Sequence, residues 1–376
     1  MAVRNRLSVF LACACLCACF LLLALYPAQT TAAAAGGLRL CAQVVAPALF
    51  PYFVLTGLIV RSPLPQALAV LARPVMRPLF GVNGAGAAAL ALGLIGGYPV
   101  GARTAAELYD SGAVSKNEAE RLLTFCNNSG PAFICGAVGT AVLQSGALTA
   151  VLWLSHIAGA LCAGLLLCRK RPVPAPDAEA APAPPPGAAP AEGGAAARFV
   201  AAVSGALSAI LNVCAYVVFF SVAAGLLQTL LPVPDTPAGR WLFRFLTGAL
   251  ELSGGIASLR TAGCGSAFLT AAAALMLGWG GLSVHFQTLA LLAGRGLRTG
   301  RYFAGKLLHG IFSALFAYTG AWLCLRFAPQ AAAAAAASPA AAHVLTPVLP
   351  AVSAVLLLLA ALPVCIRKKQ VEKKRR

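Results

Sequence analysis

The chain has 376 residues, 60% of them hydrophobic and only 10% charged, with a mean hydropathy of +0.84. A soluble domain carries about a quarter charged residues to cover its surface, so this chain reads as a polytopic integral membrane protein with lipid as its solvent. Its net charge of +18 does not point to nucleic acid, because Arg4, Arg6, Arg73, Arg77, Arg169 to Arg171 and Arg367 to Arg376 mark the ends of apolar runs, as cytoplasmic loops do.

Residues 1–37 read as a retained N-terminal membrane anchor. The apolar run Leu7 to Tyr26 matches the roughly 20 residues of a span and exceeds the core of about 7–15 in a cleaved signal. Cys13, Cys15, Cys17 and Cys19 alternate within it and spread over two helix faces, so they form no metal-ligand cluster.

A first half follows over residues 38–168. Leu38 to Val60 is a span interrupted by Pro47 and Pro51, and the basic, proline-punctuated stretch Arg61 to Phe80 is interfacial. Gly84 to Val100 is apolar and ends in Gly96-Gly97-Tyr98-Pro99. Ser115-Lys116-Asn117-Glu118 is a capping box that starts a helix. That helix runs into Phe125-Cys126-Asn127-Asn128-Ser129-Gly130-Pro131, and apolar sequence resumes from Ala132 to Cys168 with a turn near Gln144 to Gly146.

Residues 169–197, rich in Pro and Ala after Arg-Lys-Arg, form a cytoplasmic linker. The second half covers 198–327, with apolar runs at Phe199 to Leu231, Trp241 to Leu259, Ala267 to Ala293 and Tyr302 to Phe327. An Ala-rich connector (328–344), a last transmembrane helix (345–366) and a basic cytoplasmic tail (367–376) suited to anionic headgroups complete the chain. The fold class is all-α, with about eight membrane segments in two loosely corresponding halves.

Each half carries two chain breaks. They are Gly96 to Pro99 and Asn127 to Pro131 in the first half, and Glu251 to Gly255 and Gly278 to Ser283 in the second. Paired interrupted segments point to a transporter's central site, although glycine also serves close helix packing. An unwound membrane segment is tolerated only where protein or a water-filled cavity covers it. Asn127, Asn128 and Ser129 therefore stand as solute ligands. Pro131 suits a first helical turn with Ser129 or Asn128 as its cap, leaving free N–H groups for an anion.

Glu251, the only acid between Trp241 and Leu259, is expensive in lipid and should be paired, protonated or functional. It stands as a proton, cation or solute ligand, with an ion pair to Arg244 or Arg260 as the structural alternative. Ser253 follows it at the break. Ser283 and Gln287 are one helical turn apart and share a face. Arg103 either meets an anion or anchors a helix end at the headgroups. His285 and Asn212 are further candidates, and His156 and His309 weaker ones. No nucleotide-binding loop, hydrolase motif or clustered metal set is present. No cofactor and no enzyme activity are expected. Lipid, a small solute and protons or a cation are the expected partners, nucleic acid is not one, and oligomerisation stays open.

Gly96-Gly97-Tyr98-Pro99-Val100-Gly101-Ala102, the helix start at Ser115 to Arg121, Phe125 to Pro131, Leu250 to Gly255 and Gly280 to His285 resemble the sporulation integral membrane protein YlbJ family. That family belongs with the nucleoside recognition, or Gate-domain, membrane proteins. The resemblance covers about residues 38 to 325; Gly254 stands where the family pattern would have an Asn. It implies a fold related to concentrative nucleoside transporters, with re-entrant or broken helices meeting centrally. It also implies a role in endospore formation, moving dipicolinic acid from the mother cell across the outer forespore membrane. A membrane scaffold for the spore envelope without transport, and a nucleoside transporter, are the alternatives.

Overall fold

The computed structural model describes residues 2–168 and 194–330, all helix, turn and loop with no strand among them. Most of the expected linker, most of the Ala-rich connector, the last transmembrane helix and the basic tail lie outside the described residues. The N-terminal region is helix α1 (Ala2–Leu25), followed after a 98° bend by α2 (Pro27–Leu40). Helix α2 runs through Gly36 and Gly37, across the expected end of the anchor, because Gly37 lets it press against a later helix: a Cβ there would lie 3.0 Å from the Cα of Val218. A π-turn over Cys41–Val45 leads into α3 (Ala46–Val60). The turn widens just ahead of Pro47, which brings no N–H and whose ring displaces the preceding turn.

Two short helices, α4 (Leu64–Leu71) and α5 (Arg73–Phe80), cover the stretch read as interfacial. Helices α6 (Ala87–Gly96) and α7 (Val100–Asp110) form a hairpin about Gly97-Tyr98-Pro99, with Gly97 at φ 81° and a cis peptide before Pro99. The expected capping box then opens α8 (Lys116–Leu122). Ser115 Oγ accepts from the Glu118 N–H, and Glu118 Oε2 accepts from the Ser115 N–H at 2.8 Å. The other Glu118 oxygen accepts from the Asn83 N–H at 2.7 Å and ties α8 to the loop before α6. Past the break at Asn127 to Pro131, a π-helical segment (Ala132–Leu143) ends at Gln144, and α9 (Gly146–Cys168) follows.

Helix α10 (Ala195–Leu230) starts inside the stretch read as linker and packs along α2 and α3. Helices α11 (Pro237–Leu250) and α12 (Leu252–Ser258) form a second hairpin about Glu251. Helices α13 (Ser266–Trp279) and α14 (Gly281–Leu292) make one span broken at Gly280 and Gly281, both at positive φ. Helix α15 (Gly300–Phe327) completes the described chain. It pairs with α9 in antiparallel fashion: Gly159 meets Ser313, and Gly320 meets Val151.

The two halves use one device. A Cβ on Gly93 of α6 or Gly101 of α7 would lie 3.0 Å from the other's Cα and 1.9 Å from the Cys126 carbonyl oxygen. In the second hairpin a Cβ on Gly255 would lie 2.2 Å from the Gly248 Cα, and one on Gly281 would lie 3.1 Å from the Gly248 carbonyl oxygen. Each hairpin thus closes on a pair of glycines and seats against the break of its own broken span. Absent side chains allow this approach.

The ends of α7, α8, α9, α14 and α15 meet at one face. Thr124 Oγ1 lies 3.9 Å from Cys168 Sγ, and Asp110 and Arg295 form a bidentate ion pair at 2.7–2.9 Å. The Arg298 N–H donates to Glu120 at 2.9 Å. Arg169-Lys170-Arg171, expected from sequence to lie in the cytoplasm, follow α9 directly at this face. The α6–α7 hairpin enters from it. The α11–α12 hairpin, reached only after the 36-residue α10 has crossed, enters from the other side.

Among the described residues four helices are long and apolar enough to cross a membrane, or six if two bent pairs each count as one span. The roughly eight membrane segments expected from sequence included the last helix, which lies outside the described residues, and the broken segments that here form hairpins. Gly93→Ala and Gly101→Ala should each destabilise the detergent-solubilised protein at the upper end of the ~1–3 kcal/mol typical of overpacking. Gly136→Ala, with no atom within 4 Å of its Cβ, should melt within experimental error of wild type; thermal unfolding distinguishes them.

Candidate solute-binding site

All of the breaks but that at Glu251 meet around one side chain. Lys306 projects from α15 and is 1% exposed. Its Nζ donates to the Asn127 carbonyl at 2.8 Å and to His309 Nδ1 at 3.3 Å, and it lies 5.8 Å from the centre of the Tyr98 ring. A Cβ on Gly280 would sit 3.8 Å from its Cε. The lysine therefore touches the first hairpin and both broken spans.

The surrounding hydrogen bonds fix the direction of each donor. Thr288 Oγ1 donates to the Val284 carbonyl at 2.9 Å, and accepts from Asn127 Nδ2 at 3.0 Å and from the Tyr302 hydroxyl at 3.3 Å. With its proton committed to Thr288, Tyr302 accepts from His285 Nδ1 at 2.9 Å, which leaves His285 Nε2 as an acceptor. His156 Nε2 accepts from the Ser129 N–H at 2.9 Å, so its Nδ1 carries the ring proton. His309 Nε2 faces the His156 carbonyl at 2.9 Å and donates to it, leaving Nδ1 to receive Lys306. These tautomers are assigned from their partners.

Several groups at this centre remain unmatched. Asn127 Oδ1, Asn128 Oδ1, His156 Nδ1 and His285 Nε2 have no hydrogen-bond partner within the protein, and the Tyr98 and Ser129 hydroxyls face each other. In folded proteins the large majority of buried polar side-chain atoms are paired with protein or water. A set of unmatched donors and acceptors at the meeting point of broken helices can bind a polar solute from several sides.

Of the residues anticipated from sequence, Asn127, Asn128 and Ser129 stand at this centre. Neither Asn128 nor Ser129 caps the helix that follows. Asn128 Nδ2 turns back to the Phe125 carbonyl at 2.9 Å, and the new helix bonds to the Gly130 carbonyl instead. Ser283 and Gln287 share a buried face and bond each other at 3.1 Å. Glu251 does not pair with Arg244 or Arg260. Its two oxygens accept from the Ser253 N–H at 3.0 Å and the Gly254 N–H at 2.7 Å, capping α12, while Arg244 binds the Ser258 and Thr261 carbonyls.

Arg103 is no headgroup anchor. It is buried, paired with Glu107 at 2.8 Å and laid over the Phe53 ring at 4.9 Å. Asn212 is exposed on α10 and bonds only the Ser208 carbonyl, one turn back. His156 and His309, weak candidates from sequence, are central, and Lys306, Tyr98, Thr288 and Tyr302 were not singled out. Among the described residues no three His, Cys, Asp or Glu side chains gather as a metal ion would require.

Residues 42–154 match the family described as Gate, nucleoside recognition. This range includes the first hairpin and Asn127 to Ser129 but not His156 or Lys306. The sporulation integral membrane protein YlbJ of Bacillus subtilis (strain 168) is 30% identical in an alignment of 322 positions that covers 77% of this chain and 77% of that protein. No solved structure matches.

Thr288→Val keeps the shape of the side chain but leaves Asn127 Nδ2 and the Tyr302 hydroxyl without their acceptor. It should cost about 1–3 kcal/mol, read as a lowered unfolding temperature in detergent. Unchanged stability would mean that water already serves those donors.

Proposed function

The chain belongs to the YlbJ family of integral membrane proteins, and on that premise we propose that it is a multi-pass transporter or facilitator of a small anionic, heterocyclic solute. We take that solute to be dipicolinic acid, moved from the mother cell across the outer forespore membrane during endospore formation. One observation carries the reading: broken helices converge on a buried lysine with unmatched polar side chains around it. Packing alone does not call for such groups in lipid.

In this mechanism Asn127, Asn128 and Ser129 bind the solute through amide, hydroxyl and backbone groups freed at the break. Ser283 and Gln287 shape the facing wall on α14. Glu251 and Ser253 hold the tip of the second hairpin, where the carboxylate fixes the first turn of α12. Arg103, locked to Glu107, stiffens the α7 arm of the first hairpin. Exchange between the two faces follows from rocking one half against the other about this centre. Dipicolinate is a planar dianion with a ring nitrogen, and the mixed donors and acceptors suit it.

A neutral nucleoside is the second reading, favoured by the amides of Asn127 and Asn128 and by the Gate match. Purified protein in vesicles should take up labelled dipicolinate saturably, and unlabelled nucleoside should not compete. Asn127→Ala should lower uptake at least about tenfold, the equivalent of one lost hydrogen bond of ~1.4 kcal/mol. Glu251→Gln, which exchanges one capping oxygen for an N–H, should lower it less. No uptake by folded wild type, with or without a proton gradient, would remove the dipicolinate transport reading and favour a scaffold or another solute.

A further inference from the structure

Lys306 is enclosed by protein, yet both of its hydrogen-bond acceptors are neutral: the Asn127 carbonyl and His309 Nδ1. An ammonium has three N–H donors, so one remains to be used. The acids among the described residues are committed elsewhere. Glu107 binds Arg103, Asp110 binds Arg295, Glu118 caps α8, Glu120 accepts from the Arg298 N–H, and Glu251 caps α12. Asp235 is exposed on the loop before α11.

A desolvated charge without a bonded opposite partner costs several kcal/mol, and no carboxylate among the described residues bonds Lys306. The 12-residue α14 begins beside Lys306 at Gly281, and the positive end of its dipole adds to the same field. Around it Asn127 Oδ1 and the His156 Nδ1–H are unmatched, and the Ser129 and Tyr98 hydroxyls face each other. What Lys306 lacks is an anion bonded to it.

We propose that Lys306 is the charge-selecting ligand of the site: its free N–H binds a carboxylate, or a comparable anionic group, of the solute and thereby excludes neutral molecules of the same shape. The assignment rests on the transport reading and sharpens it. A carboxylate at this N–H forms a charge-assisted hydrogen bond, roughly twice as strong as a neutral one. A carboxamide at the same place leaves the ammonium uncompensated.

The test compares pyridine-2,6-dicarboxylate with pyridine-2,6-dicarboxamide, a neutral analogue of the same outline. Binding to the purified full chain in detergent is measured by calorimetry, and uptake is measured in vesicles, for wild type, Lys306→Met and Lys306→Arg. Wild type should prefer the dicarboxylate by at least about tenfold, some 1.4 kcal/mol. Lys306→Met should abolish the preference by weakening dicarboxylate binding alone. It should melt no lower than wild type, since it removes an uncompensated buried charge. Lys306→Arg should retain part of the preference, which a purely structural lysine would not predict.

Equal binding of the two compounds by wild type overturns the proposal without reference to any variant. So does a dicarboxylate preference that survives in Lys306→Met. Charge-selective binding without uptake supports the role of Lys306 and overturns the transport reading instead, so the two fail separately.

Discussion

A backbone group released from a helix inside a membrane has no water to turn to, and protein must meet it. The Asn127 carbonyl is met by Lys306, the Ser129 N–H by His156, and the Ser253 and Gly254 N–H groups by Glu251. These side chains come from outside the first break and from the turn itself in the second. The first break is therefore stable only while α9 and α15 stay paired behind it. Their pairing is itself closed by the bond from His309 to the His156 carbonyl. One polar chain thus fixes the position of two long helices and the shape of the opening they support.

Glycine supplies the complementary constraint. Both hairpins draw their arms together at a glycine on each side of the turn, and both press that contact against the break of a broken span. The two hairpins enter from opposite faces, so the halves repeat one construction in inverted order. This gives physical content to the loose correspondence seen in sequence. It also explains why the number of apolar runs exceeds the number of crossings.

Much of this was legible in the sequence. The breaks at Gly97, Asn127, Glu251 and Gly280 stood out because Gly, Pro and Asn are conspicuous in apolar runs, and Ser115 and Glu118 announced α8 by their spacing. The partners were not legible. Lys306 lies only six residues into α15, after Arg295, Arg298 and Arg301, where a lysine reads as one more headgroup anchor. Its burial arises from α9 and both broken spans closing over it, a consequence of tertiary contact. Glu251 reads from sequence as a proton, cation or solute ligand, with an ion pair as the structural alternative; the ion pair does not form, because the break that exposed the acid also supplied two backbone donors within three residues. His156 and His309 are far apart in sequence, and no local pattern pairs them.

The clasp between Asp110 and Arg295 joins α7 of the first half to the loop after α14 in the second, on the face where α9 ends. Both side chains are partly open to solvent, at 13% and 25%, so dissolved ions reach the bond. Any rearrangement that parts the halves on that side has to break it first. An ion pair so placed weakens as salt is added, so the bond across the two halves is looser in concentrated salt than in dilute. The opposite face has no such clasp among its described residues, so the ease of opening the two faces responds differently to the same salt.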